Sequence, residues 1–209
     1  MFRVLTLARE YGSGGGKIGQ AIAAHLGWTL IDKEFVERVA QAAKVDPRLA
    51  QGLDERTDSW LERLSHHGLW QGAFDRVSYS QPSDFFDAET MAALARRMIE
   101  DAYRQGNAVI VGRGGQCVLQ ARHDAFHVFV YAPWAEKVAR VRARRPAHAD
   151  IDAWIHARDR QRADYMRSYY ECDWMNPHLY HLMISSTLGE ALVESTILQA
   201  LQADNLARR

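Results

Sequence analysis

The chain has 209 residues with 26 basic and 26 acidic side chains, so its formal net charge is zero; 47% of its residues are apolar and 25% charged. That balance suits one folded domain able to bury a sizeable core, and it excludes a disordered chain, a collagen-like repeat, a coiled coil and a generally basic nucleic-acid-binding surface. No run approaches the roughly 20 apolar residues of a membrane-spanning helix, and MFRVLTLARE is too short and too soon charged for a secretory signal.

Phe2 to Ala8 is a short, mostly apolar run of the kind expected for a buried parallel strand. Gly12 to Gly16 follows with four glycines and Ser13. Lys17 to Leu26 has helical composition and stops at Gly27, a suitable terminator. Trp28 to Ile31 reads as a second strand, with Asp32 just beyond it. Phe35, Val36, Val39 and Ala43 then recur at helical spacing. From Val45 to Phe86 the pattern is least regular. Trp60, Leu61 and Leu64 suggest a helix, and His66 to Phe86 scatters aromatics among Gly68, Gly72 and Pro82. His66 and His67 are adjacent and would point apart on a helix, which favours surface or packing roles over a metal site. Met91, Leu94, Ala95, Met98, Ile99 and Ala102 form an amphipathic stripe, with Asp87 as N-cap and Gly106 as stop.

Ala108 to Val111 is a third strand, ending in Gly112-Arg113-Gly114-Gly115, and Phe126 to Ala132 a fourth. Trp134 to Arg145 reads as a helix broken at Pro146, and Asp150 to Tyr170 as a long Arg-rich helix. Tyr180 to Ile184 is a fifth strand, and the last helix spans about Leu188 to Leu201. Short apolar strands alternating with helices predict an α/β fold with a five-stranded parallel sheet. Ligands of such sheets bind beyond the carboxyl ends of the strands, where the glycine loop, Asp32 and Arg113 all fall.

Gly12, Ser13, Gly14, Gly15, Gly16, Lys17, Ile18 and Gly19 make the candidate cofactor-binding loop. Glycines let backbone N–H groups turn toward a phosphate, the helix N-terminus adds partial positive charge, and Lys17 could reach the β and γ phosphates. This is the logic of G-x-x-x-x-G-K-[ST]. Tyr11 stands where its first glycine should be, and Ile18 where the magnesium-binding hydroxyl should be.

Several blocks together resemble the cytidylate kinase-like proteins, a branch of the P-loop nucleoside monophosphate kinases. Arg9-Glu10-Tyr11-Gly12-Ser13-Gly14-Gly15 resembles that branch's variant glycine loop, in which many members have Arg where this chain has Lys17. Val109-Ile110-Val111-Gly112-Arg113-Gly114 is similar to the third-strand block, with Gly114 replacing an acidic residue. Asp32 followed by Arg38 resembles the monophosphate-binding block, and Asp159-Arg160-Gln161-Arg162 with Tyr165, Tyr169 and Tyr170 resembles the lid. Trp174, Pro177 and Tyr180 leading into Leu182-Met183-Ile184 are similar to the approach to the last strand.

The resemblance implies a P-loop NTPase three-layer fold in strand order 2-3-1-4-5. It implies one domain over 1–209, with an acceptor-binding insert over about 33–105 and a lid over about 146–175. The expected reaction is transfer of the ATP γ-phosphoryl group to CMP or dCMP with Mg²⁺, in the cytoplasm, without nucleic-acid or membrane partners. Lys17, Arg158 and Arg162 are the expected catalytic cations. Asp32, Arg38, Arg113, Asp159 and Arg162 are the expected substrate contacts. Ordinary structural roles stay open: Asp32 as a helix cap, Arg38 as a solvent-facing arginine, Arg158 and Arg162 as a solvated helix face. Two other functions stay open too, phosphotransfer to another small acceptor and a catalytically weak nucleotide-binding sensor or partner protein.

The 26 basic residues divide into 22 Arg and four Lys (Lys17, Lys33, Lys44 and Lys137). Genome composition accounts for such a bias, but arginine is also preferred where phosphates are gripped by two parallel hydrogen bonds. Between Lys137 and Arg167 nine basic residues face four acidic ones, so the neutral chain conceals a basic segment. Cys117 and Cys172 lack metal-type spacing and are expected as reduced thiols.

Overall fold

The computed structural model describes residues 1–45, 88–145 and 150–207. The expected helix around Trp60, the segment His66 to Phe86, the Asp87 cap and Pro146 lie outside these residues. Five strands, β1 (Val4–Arg9), β2 (Thr29–Ile31), β3 (Ala108–Val111), β4 (Ala125–Tyr131) and β5 (Leu182–Ser185), form one parallel sheet in the order β2-β3-β1-β4-β5. The helices are α1 (Gly15–Leu26), α2 (Lys33–Val45), α3 (Ala88–Gln105), the single turn α4 (Gly115–Val118), α5 (Trp134–Arg144), α6 (Ile151–Tyr170) and α7 (Glu190–Ala207). The expected strand order is the observed one.

The central strand β1 runs from Val4, opposite Ala108 and Ala125, to Arg9, opposite Val130. Side chains alternate between the two faces of the sheet. Val4, Ala108 and Ile110 face one side, where they pack with Phe35, Val36 and Val39 of α2 and Leu94, Ala95, Met98 and Ile99 of α3. Leu5, Leu7, Val109 and Val111 face the other, where Ile18 and Ile22 of α1 meet Val193 and Ile197 of α7. Burial on both faces explains why these strands read as mostly apolar runs.

Two smaller clusters seat the Arg-rich helix. Met166 and Trp174 pack with Ala8 and Phe129, with Tyr165, Tyr170, Cys117 and Cys172 around them. Tyr165 and Met166 therefore pack, as their spacing suggests. Nearer the N-terminal half of α6, Ile151 and Ile155 pack with Val141, with Tyr11, Val138 and Trp154 alongside. The Asp150 side chain caps α6 by accepting the Ala153 N–H at 2.8 Å. The α6 helix is thus held against α5 and the glycine loop at one end and against the strand ends at the other. Both cysteines are free thiols, and no described helix is long and apolar enough to cross a membrane.

Candidate active site

The glycine loop leaves β1 at Arg9 and enters α1 at Gly15. Gly12 (φ 84°) and Gly14 (φ 85°) lie in the left-handed region that residues with a Cβ rarely adopt. A Cβ on Gly12 would also stand 3.1 Å from the Lys137 backbone, so the loop lies directly on α5. Ser13 is wholly buried; its hydroxyl donates to the Glu10 carbonyl at 2.9 Å. Its own carbonyl accepts from Arg140 Nη1 at 3.1 Å, and the same nitrogen donates to Ser186 Oγ at 2.7 Å. The loop is therefore held in shape from beneath and from the side.

A Cβ on Gly16 would meet nothing within 4 Å, so the start of α1 opens onto free space. The N–H groups of Gly15, Gly16 and Lys17 belong to the first turn of α1; that of Gly15 donates to Ser13 Oγ at 3.5 Å, while those of Gly16 and Lys17 have no intrahelical acceptors, which suits a phosphate. Lys17 is exposed on that turn. Ile18 is 1% exposed in the core, and its N–H donates to the Gly14 carbonyl at 3.3 Å. A Cβ on Gly19 would come within 2.6 Å of Val111 Cγ2, so Gly19 serves helix–strand packing. The structure thus keeps Gly12 to Lys17 at the loop, turns the Ile18 side chain into the core and packs Gly19 against β3.

The α6 helix docks on this loop through Tyr11. Asp159 Oδ1 accepts the Tyr11 backbone N–H at 2.7 Å and an Arg162 N–H at 2.9 Å. The Arg162 guanidinium lies 5.4 Å from the centroid of the Tyr11 ring, whose hydroxyl accepts the Trp154 indole N–H at 3.2 Å. Burial pulls the Arg162 pKa down, and Asp159 partly opposes this by favouring the cation. Arg158 goes elsewhere: it lies 4.3 Å from the Trp154 ring centroid and donates to Gln161 at 2.9 Å. Asp159 and Arg162 are brought to the loop, whereas Arg158 is stacked along its own helix.

At the carboxyl ends of β2 and β3, Asp32 Oδ1 accepts the Phe35 N–H at 2.8 Å, so it does cap α2. Its pKa is raised, chiefly by burial. Arg38 and Arg113 each have a buried Nε without a hydrogen bond. Arg38 lies 5.7 Å from the centroid of the Phe35 ring, and Arg113 is 3.9 Å from Glu37 Oε1. Arg113 has φ 55°, an unusual value for a residue with a Cβ. The Tyr170 hydroxyl donates to the Arg113 carbonyl at 3.0 Å, and the Tyr170 ring fills the space where a Cβ on Gly114 would stand. Arg9 joins this group. Its guanidinium lies over Gly112, and Arg162, Glu34, Arg113 and Asp32 all act on its charge.

Sequence reasoning did not single out Arg9, Glu10, Lys137 or Arg140. Lys137 is 6% exposed, and its Nζ lies 3.4 Å from both Glu10 Oε2 and Asp159 Oδ2. Glu10 Oε2 also accepts the Ala132 N–H at 3.1 Å. One ammonium on α5 therefore ties the end of β1 and α6 together beside the loop. A signal existed: Lys137 falls beside Val138 and one turn before Val141, on the side of the helix that turns inward. Among the described residues no group of three or more His, Cys, Asp or Glu could hold a metal ion.

No curated protein matches the sequence. Among solved structures, an uncharacterized protein from Eubacterium ventriosum superposes with a TM-score of 0.68 at 17% identity, over 97% of this chain and 99% of that one. Shikimate kinase from Acinetobacter baumannii, solved in complex with shikimate, superposes with a TM-score of 0.52 at 14% identity, over 99% of this chain and 96% of that one. The fold is thus shared with P-loop kinases. The model of the cytidylate kinase-like family matches residues 4–188, and the chain belongs to that family.

Proposed function

We propose that the protein is a cytoplasmic nucleoside monophosphate kinase that transfers the γ-phosphoryl group of ATP to CMP or dCMP. The observation that carries this reading is the docking of Asp159 and Arg162 on Tyr11, because it sets a lid cation beside a phosphate-binding loop. Family membership supports a phosphotransferase. Phosphoryl transfer depends on positioning and on fixed cations rather than on covalent chemistry by the protein.

The open start of α1 fits the phosphates of ATP, and Lys17 would reach the outer ones from the first turn. Mg²⁺ would neutralise the β and γ phosphates when bound. With Ile18 in the core, no loop hydroxyl is available to it, so phosphate oxygens and water would supply most of its ligands. Asp32 would orient the acceptor or hold a hydrated Mg²⁺ through the oxygen that does not cap α2. Arg38 and Arg113 would grip the acceptor phosphate, and Arg162 would close over the transferring group. A second reading, transfer to another small acceptor, is favoured by Tyr170, whose ring takes the space beside Gly114.

A coupled assay over a panel of nucleoside monophosphates, with Lys17→Ala beside the wild type, tests the proposal. Turnover with CMP or dCMP supports it. Turnover only with a different acceptor supports the second reading. Saturable ATP binding without transfer to any acceptor makes the protein a nucleotide sensor and ends the enzymatic reading.

A further inference from the structure

We propose that Arg9 is itself a phosphate ligand, spanning the gap between the glycine loop and the turn after β3. This rests on the phosphotransferase reading above and adds to it a residue.

The path of the side chain carries the argument. Arg9 ends β1 two residues beyond the last β1–β3 pair, Leu7 with Val111. Its Cβ lies against Gly15, where an added Cβ would come within 2.7 Å. Its guanidinium lies over Gly112, where an added Cβ would overlap it. Glycine at both positions leaves a channel for one extended arginine. That channel begins at the first residue of α1, where a donor phosphate would sit, and ends beside Arg113, on the acceptor side.

The charges around Arg9 point the same way. Arg104, Arg140, Arg162 and Arg167 each pair with a carboxylate on their own helix. Arg9 makes no hydrogen bond or ion pair among the described residues. Asp32 and Glu34 favour its charge from a distance, while Arg162 and Arg113 oppose it. Burial, followed by these two guanidinium groups, pulls its pKa down to about 9, so it stays cationic at neutral pH without a partner.

Hydrogen-bond donors are also in surplus. The buried Nε atoms of Arg113 and Arg38 lack acceptors, and such groups are costly unless a ligand satisfies them. A hydroxyl acceptor brings no charge to such a site. A phosphate dianion brings three acceptor oxygens and the charge that two or three guanidinium groups are shaped to grip.

In the transfer step, an oxygen of the acceptor phosphate attacks the γ-phosphorus of ATP. A new P–O bond forms, the bond from that phosphorus to the β–γ bridging oxygen breaks, and ADP leaves with the electron pair. Arg9, lying between the two sites, would bind the acceptor phosphate and the phosphoryl group as it passes.

The test compares wild type with Arg9→Lys and Arg9→Gln. Calorimetry measures the binding of CMP, cytidine and inorganic phosphate, and initial rates measure transfer from ATP to CMP. The expected result is CMP binding well above cytidine in the wild type. Binding of CMP and phosphate should fall roughly tenfold or more in Arg9→Lys and further in Arg9→Gln. The kcat/KM for CMP should fall about 10²-fold or more in Arg9→Gln, while a fluorescent ADP analogue binds within about twofold of wild type. If wild type transfers to no monophosphate, the kinase reading fails, but loss of phosphate binding in the Arg9 variants still supports the anion site. Arg9→Lys retains the stem against Gly15 and decides the matter if Arg9→Gln does not fold. Wild-type binding of CMP and phosphate in both variants overturns the inference, as does a wild type that binds neither.

Discussion

The Asp159 carboxylate accepts the backbone N–H of Tyr11 at 2.7 Å, so α6 is anchored to the main chain of the glycine loop. The same carboxylate holds Arg162 at 2.9 Å and lies 3.4 Å from the ammonium of Lys137. One side chain thus sets the position of Arg162 relative to the glycine loop. Asp159→Ala would strand the Tyr11 N–H and leave Lys137 with Glu10 alone. The expected cost is about 2–3 kcal/mol of stability, read from urea unfolding. Transfer activity should fall at least roughly tenfold, because Arg162 loses its orientation. Asp159→Asn keeps an acceptor for Tyr11 and should lose less stability than Asp159→Ala; equal losses would show that the Tyr11 bond contributes little.

Lys17 and Arg162 should separate in their kinetic effects. Lys17 is exposed on the first turn of α1, whereas Arg162 is half-buried over Tyr11. Lys17→Ala is expected to raise the KM for ATP several-fold or more and to leave the thermal midpoint within about 1 °C, since surface substitutions cost little. Arg162→Ala should lower kcat by about 10²–10³-fold, as loss of a transition-state cation does. Arg158→Ala should have a much smaller effect than Arg162→Ala, because its guanidinium stacks on Trp154 and not over the loop. Steady-state kinetics on the three variants decide this, and equal losses at 158 and 162 would contradict the geometry.

The sheet is legible in the chain because β1, β3 and β4 are buried on both faces and so appear as mostly apolar runs, broken only by Thr6 and Arg9 in β1 and His127 in β4. The edge strand β5, expected over Tyr180 to Ile184, spans Leu182–Ser185, and His181 just before it exchanges hydrogen bonds with His127, accepting its N–H at Nδ1 (3.0 Å) and donating its own N–H to the His127 carbonyl at 2.8 Å. The loop register was harder. A run of five residues with four glycines does not announce which one begins the helix, and α1 starts at Gly15 and not at Lys17. Helical spacing places Arg158 and Arg162 on one face, which is true, but Trp154 and Tyr11 attract them to different aromatic surfaces. Arg9 was hidden because a strand residue's role depends on what lies across the sheet. Gly15 and Gly112, which leave room for its side chain, are six and 103 positions away in the chain.

The contact between Gly19 and Val111 predicts a coupled pair of substitutions. Gly19→Ala would gain helix propensity, about 1 kcal/mol, but its Cβ would press within 2.6 Å of Val111 Cγ2. Neither side can yield cheaply, because Val111 sits in the buried core. Overpacking of this kind costs about 1–3 kcal/mol. The double variant Gly19→Ala with Val111→Ala should be more stable than the two single losses added together, because the truncated side chain makes room for the new methyl. Urea unfolding of the four proteins gives the coupling energy, and strict additivity would mean that α1 shifts freely on the sheet.

The sheet itself should make stability sensitive to acid through His127. This residue is 4% exposed; Thr6 Oγ1 lies 2.7 Å from its Nδ1, and the His181 ring stacks at 5.1 Å. Burial, with a contribution from His181, pulls the His127 pKa down from 6.5 to about 4. Between those two values the unfolded chain binds a proton that the folded protein does not. The unfolded state therefore gains as pH falls, and stability is lost progressively from about pH 6.5 down to about pH 4. The size of the effect is about 2–3 kcal/mol, and above pH 6.5 this contribution is fully present. His181, whose pKa burial also lowers, adds to the loss in the same direction. Urea midpoints at pH 7.5 and 4.5 should differ in the wild type, and the difference should shrink in His127→Gln, which cannot take up a proton. An unchanged pH dependence in that variant would place the acid sensitivity elsewhere in the fold.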